Sequence, residues 1–171
     1  MIKSERINIV PFEMKCLDHY FSGFNAEITK FQWPDPFQSI EDARAILQEF
    51  LNEMGREETL LFSILSKSDD FLGSVEIHGL TEDCPELGIW IIEAEQNKGY
   101  AYEALNAVLN YVRSKYDKAE FYYEADIRNT GSMQLLHKFD EKYEIIERGL
   151  EILTTDSGKE LELRGYILKA K

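Results

Sequence analysis

Six consecutive residues, Gln96-Asn97-Lys98-Gly99-Tyr100-Ala101, join an apolar run to a segment with helical periodicity. The first N–H groups of a helix have no partner of their own and carry positive partial charge, so a helix that opens here suits an anion. Gly99 permits close backbone approach, Ala101 is small for the same reason, and Lys98 adds a formal positive charge. On a chain with a formal charge of −13, that local arrangement is what a phosphate ligand needs. Taken alone, it is also what a plain strand-to-helix connection looks like. The stretch is neither a P-loop (G-x-x-x-x-G-K-S/T) nor a dinucleotide fingerprint (G-x-G-x-x-G). His19, His78 and His137 are scattered without metal-ligand spacing, so no metal site is expected. Cys16 and Cys84 fit neither a metal nor a disulfide pattern and read as free thiols.

The elements that must position this loop follow from hydrophobic periodicity. Glu5–Phe12 alternates as a first strand and ends near Pro11, and Glu13–Phe24 has helical spacing. Phe31-Gln32-Trp33-Pro34-Asp35-Pro36-Phe37 cannot be regular, because two prolines break helix and sheet alike. Ser39 caps the next helix, with Asp42 three residues on and Gly55 at its end. Thr59–Lys67 and Phe71–Leu80 form a hairpin around Ser68-Asp69-Asp70, and Glu86–Glu93 is a buried strand. A helix at Gly99–Tyr116, a strand at Ala119–Ile127 and a short helix near Ser132–Phe139 follow. Strands at Tyr143–Leu153 and Glu160–Lys169 close the chain. This order predicts a single α+β domain over residues 1–171. Its mixed, mostly antiparallel sheet has about seven strands and four helices, and the fourth and fifth strands are parallel through a right-handed crossover.

Composition narrows the partners. With 32 acidic against 19 basic side chains, the chain repels nucleic acid and anionic membrane and favours small cationic ligands. The same charge also serves solubility. No window approaches the ~18 apolar residues of a membrane span, and the first ten residues do not read as a signal peptide. A cytoplasmic protein is expected.

At the loop the chain resembles the GNAT (GCN5-related N-acetyltransferase) superfamily. Gln96, Gly99 and Ala101 stand at the defining places of its Q/R-x-x-G-x-G/A loop. Three further stretches are similar to the branch of ribosomal-protein N-terminal and spermidine-type acetyltransferases. They are the strand Leu87-Gly88-Ile89-Trp90-Ile91-Ile92, the N-x-x-S at Asn129-Thr130-Gly131-Ser132, and Trp33-Pro34-Asp35-Pro36-Phe37 followed by Ser39–Ala43. The resemblance implies acetyl-CoA as acyl donor, transfer to a primary amine, and a fold whose parallel fourth and fifth strands splay apart. It implies that the amides of Gln96, Asn97, Lys98, Gly99, Tyr100 and Ala101 bind the CoA pyrophosphate. The backbone of Ile91, Ile92 and Glu93 would pair with pantetheine, Asn129 would hold its arm, and Ser132 would protonate the leaving thiolate. A homodimer is common among such relatives. Two positions depart from the wider pattern: Leu136 stands where a tyrosine often serves as acid, and Asp140-Glu141 replaces a glycine, which predicts a different turn before the sixth strand.

Direct transfer needs a neutral amine, whose ordinary pKa is roughly 10. A carboxylate must therefore take a proton on the way. Glu86, at the start of the central strand, is the first candidate base and Glu76 the second; either can equally be a solvated strand-edge glutamate. A substrate peptide, a polyamine and other small amines stay open as acceptors. So does a relative that holds acyl-CoA without catalysis, and, without the resemblance, a generic phosphate-binding domain.

Overall fold

Alternation along the strands decides which of two cores each side chain joins. The computed structural model describes residues Met1–Lys171. In chain order the elements are β1 (Ile2–Lys3), β2 (Ile7–Pro11), α1 (Leu17–Gly23), α2 (Ile40–Gly55), β3 (Leu60–Ser66) and β4 (Phe71–His78). After them come β5 (Glu86–Ile91), α3 (Tyr100–Tyr116), β6 (Glu120–Asp126), α4 (Thr130–His137), β7 (Tyr143–Thr154) and β8 (Glu160–Ala170). The eight strands form one sheet in the order β1-β2-β3-β4-β5-β6-β8-β7. Every neighbouring pair is antiparallel except β5 and β6, which are parallel.

The expected architecture holds, with one strand more than the sequence suggests. The extra strand, β1, is two residues long and pairs Ile2 with Ile9, too short to leave a periodic signal. The stretch read as one helix from Glu13 is a 3-10 turn, Met14–Cys16, running into α1. Helix α4 opens at Thr130 rather than Ser132, because the Asn129 side chain caps it by accepting the Ser132 N–H at 3.1 Å. Ser39 caps α2 as expected, accepting the Asp42 N–H at 3.1 Å. After α4, Phe139 accepts the amides of Lys142 and Tyr143 in a tight turn through Asp140-Glu141.

On one face, Ala104, Leu105, Val108, Leu109 and Val112 of α3 pack against Ile9, Phe62, Val75, Ile77 and Phe121. Those five helix positions follow the 3–4 spacing of a buried stripe. Fully burying each large member contributes roughly 1.5–3 kcal/mol. The other face is aromatic: Tyr20, Phe24, Leu47, Leu61, Phe71 and Trp90 pack beneath α1 and α2. Tyr20 meets Trp90 edge-on at 5.0 Å.

Strands β5 and β6 pair only at Glu86 with Tyr122 and Leu87 with Tyr123, and then separate. Each free end is tied to its other neighbour. The Ile92 N–H donates to the Leu72 carbonyl at 2.9 Å, drawing β5 toward β4. At the end of β6 the buried Asp126 carboxylate accepts the Glu162 amide (2.9 Å) and the Arg128 guanidinium (2.8 and 2.6 Å), drawing β6 toward β8. Burial alone would raise the Asp126 carboxyl; Arg128 and the two backbone amides overcome it and hold it below its usual value. The sheet therefore opens between its two central strands.

Candidate active site

The opening between β5 and β6 is a cleft of about 400 Å³. The antiparallel ladder determines what faces it. Because Ile92 bonds to Leu72, the even-numbered residues of β5 direct their backbone groups to β4, and those of Ile89 and Ile91 point toward β6. Beyond Leu87 no β6 partner meets them. Two side chains reach into the gap: Gln32 Nε2 donates to the Ile89 carbonyl at 3.3 Å, and Gln96 Nε2 donates to the Ile91 carbonyl at 3.1 Å. The carbonyls are engaged, so the N–H groups of Ile89 and Ile91 are what this wall presents.

Helix α3 starts at the same mouth. Its first bond runs from the Glu103 N–H to the Gly99 carbonyl (3.1 Å), leaving the amides of Tyr100, Ala101 and Tyr102 ahead of it, and no side chain caps them. Glu103, the acidic residue of this first turn, is turned away toward Arg6, whose amide and Nε both donate to it at 2.8 Å. Arg6 also donates to the Lys98 carbonyl (2.8 Å) and lies over the Tyr100 ring, so it holds the loop from behind. Gly99 at φ +85° and Asn97 at φ +61° are both left-handed, and this turns successive amides in one direction. An uncapped helix start beside a glycine is a cradle that fits a diphosphate.

Of the residues singled out by sequence, Ile91, Gln96, Asn97, Gly99, Tyr100, Ala101, Asn129 and Ser132 line this cleft. Five do not. The amide and carbonyl of Ile92 are both bonded within the chain, to Leu72 and Glu95, so neither is free to face the cleft; Ile89, two residues before the expected run, presents its amide there instead. The Glu93 carbonyl accepts the Gln96 amide in a 3-10 turn, which also removes that amide from the loop's free donors. Lys98 points its ammonium at Glu95 (2.9 Å) and leaves the cleft wall. Glu76 and Glu86 lie outside the cleft, on the α1/α2 face.

Two lysines missed by sequence, Lys30 and Lys138, line the cleft. Lys138 was legible: Asn129, Ser132, Leu135 and Lys138 recur every three residues and all face the cleft. Asn129 uses its carbonyl oxygen on the Ser132 amide, which leaves its NH₂ as donor. Leu136 is 1% exposed in the core, so that position supplies no acid.

On the α1/α2 face, Glu76 sits over Gly88 of β5, where a Cβ would lie 3.5 Å from its carboxylate. The Tyr20 hydroxyl donates to one carboxylate oxygen at 2.7 Å, and His78 Nε2 lies 2.9 Å from the other. Trp90, which also lines the cleft, points Nε1 at the Tyr20 oxygen (3.5 Å). Glu86 stands at the outer end of β5 beside a second cleft; partial burial and then Glu124 push its carboxyl up.

The family profile for the acetyltransferase (GNAT) domain matches residues 6–140. The chain belongs to the GNAT acetyltransferase family. Among solved structures, this GNAT chain is similar to spermidine N-acetyltransferase from Vibrio cholerae in complex with CoA and spermine. That match has a TM-score of 0.80 at 16% identity, over 96% of each chain. It is similar also to the Salmonella typhimurium acetyltransferase that modifies the N-terminal serine of a 50S ribosomal subunit protein (0.80, 16%, 99% of each chain). A GNAT-family acetyltransferase from Bacillus anthracis matches at 0.79 and 21%, over 98% of this chain and 97% of that one. No curated protein sequence matches significantly. At these identities the structures show a shared fold, and the family profile makes this GNAT chain an acetyl-CoA-dependent N-acetyltransferase.

Proposed function

We propose that this enzyme acetylates a primary amine carried on a cationic body, either a polyamine or the N-terminus of a basic peptide, by direct attack of the amine on the thioester carbonyl. The observation that carries the reading is that one strand serves both reactants. Through its backbone, β5 offers the amides of Ile89 and Ile91 to the splayed cleft. Through its side chains it joins an acidic face with Glu76, Glu86 and Glu124. The amides of Tyr100, Ala101 and Tyr102, with Lys138, would hold the diphosphate, and the Asn129 NH₂ the pantetheine arm. When bound, acetyl-CoA supplies the reactive thioester. A fixed N–H at the Ile89–Ile91 wall is the right kind of donor for the developing oxyanion, a contribution of typically ~3–4 kcal/mol. The Ser132 hydroxyl, on the cleft wall, would give a proton to the leaving sulfur.

Glu76 takes the proton from the amine in this reading. Its side chain is 16% exposed and ordered by two hydrogen bonds, and Gly88 leaves space beside it. Glu86, more exposed and nearer Glu124, attracts the cationic body. No helix is long and apolar enough to cross a membrane; we take the enzyme as one cytoplasmic domain able to pair as a homodimer.

The test is thiol release from acetyl-CoA with spermidine, a basic peptide and a neutral-bodied amine. Glu76→Gln should lower kcat by about 100-fold or more while CoA affinity stays put. Glu86→Gln should raise KM for spermidine several-fold and change kcat little. CoA binding without thiol release from any amine would leave a non-catalytic acyl-CoA binder instead.

A further inference from the structure

A base that accepts a proton in each turnover must also lose it. The two partners of the Glu76 carboxylate differ in what they can do. The Tyr20 hydroxyl is 2% exposed and already donates its proton to Glu76 at 2.7 Å. The Trp90 N–H directed at its oxygen is donor only, so this side of the carboxylate is closed to an arriving proton. On the other side, His78 Nε2 lies 2.9 Å from Glu76, and in the tautomer that carries its hydrogen on Nδ1 this nitrogen can accept a proton. Its ring packs on Phe50 of α2 (5.4 Å), is one-third exposed, and lines the second cleft, about 390 Å³, together with Glu82, Cys84, Glu86 and Tyr122.

We propose that His78 is the proton outlet of Glu76, carrying the proton taken from the amine across the sheet face to water in the second cleft. The inference rests on reading Glu76 as the base. The step balances simply. The amine nitrogen loses a proton to a Glu76 carboxylate oxygen, and the carboxyl passes it to the Nε2 lone pair of neutral His78 in its Nδ1–H tautomer. The imidazolium then releases its Nδ1 proton to water in the second cleft, and both groups return to their starting charge. Proton exchange with that water restores the Nδ1–H tautomer for the next turnover. The proton thus leaves on the acidic face, away from the splay cleft that would hold acetyl-CoA.

The groups facing His78 are Glu76 on β4, Glu86 on β5 and Glu53 on α2, with Glu82 and Cys84 in the β4–β5 connection. The Glu76 hydrogen bond outweighs burial, and the carboxylates together raise the imidazole above its ordinary 6.5. The outlet works only with His78 neutral. Activity limited by it is therefore low below that raised pKa and rises as pH passes through it.

The experiment is a kcat–pH profile of the full chain at saturating acetyl-CoA and spermidine. The parent should show an acid limb with its midpoint above 6.5. His78→Gln keeps a hydrogen bond to Glu76 but cannot accept a proton; kcat should fall about tenfold at pH 7.5, and that limb should vanish. His78→Ala should be restored several-fold by added imidazole, which a purely structural histidine would not allow. Melting temperature and CoA affinity of both variants serve as folding controls. An unchanged limb in His78→Gln with kcat within twofold, or no rescue by imidazole, overturns the outlet. An active Glu76→Gln overturns the base itself, so the two failures are distinguishable.

Discussion

Two clefts of nearly equal size, about 400 and 390 Å³, open at opposite ends of β5, and they differ in what supplies their electrostatics. In the splay cleft fixed backbone amides, those of Ile89 and Ile91 and those opening α3 at Gly99, act beside the side chains of Lys30 and Lys138. In the other cleft it is side chains, Glu82 and Glu86 beside His78, that set a negative field, with no lysine or arginine on the wall. A formal charge of −13 thus says little about where an anion binds. Backbone dipoles fixed in place attract a phosphate locally, while the carboxylates govern what approaches from the other side. One strand can serve both ends because its backbone and its side chains point in different directions.

The strongest way to break the comparison is to disturb the strand they share. A Cβ on Gly73, which pairs with Ile91, would lie 2.1 Å from the Trp90 carbonyl oxygen and 2.9 Å from the Ile91 Cα, both backbone atoms that cannot step aside. Gly73→Ala should cost about 3 kcal/mol, seen as a melting temperature lower by roughly 10 °C. Whatever folds should lose affinity for CoA, since the Ile91 end of the strand must move. A variant melting within 2 °C of the parent would mean the strand end yields easily, and the wall would not be the rigid donor described above.

A sharper cut separates the clefts. Gly99→Val places a β-branched residue at φ +85°, a conformation it strongly resists, with Arg6 already 3.2 Å from the new Cβ. The helix start should shift and CoA affinity, measured by calorimetry, should fall about tenfold or more, a change of 1.4 kcal/mol per decade. KM for spermidine at saturating acetyl-CoA should stay within about twofold, because the acidic face is untouched. Equal losses for both substrates would mean that the clefts are not independent.

Much of this arrangement is legible in the sequence. Periodicity places α3 and its buried stripe, and the shift from a continuous apolar run to polar residues after Ile92 marks the loop. What could not be read was direction. Whether Ile91 or Ile92 presents its amide depends on ladder parity, which Leu72 on another strand decides. The count of strands missed β1 because two residues carry no period. The Tyr20–Glu76–His78 chain joins residues 56 apart in sequence, across α1 and β4, and no local pattern encodes that. The charge of Lys98 was legible, but its use was not: a glutamate three residues earlier claims it.

That last point separates a local sequence signal from its use in the fold. Lys98 stands in the loop motif and looks like the natural partner of a diphosphate, yet its ammonium pairs with Glu95 at 2.9 Å and is half exposed. An exposed pair of this kind contributes ~0–1 kcal/mol and is screened by salt. Lys138 stands outside the motif, forty residues on, and lines the cleft. Lys138→Met should therefore weaken CoA about threefold at low salt, and Lys98→Met by less than twofold, both by calorimetry. The reverse order would show that Lys98 leaves Glu95 when a diphosphate arrives, and that the loop motif rather than Lys138 supplies the side-chain charge.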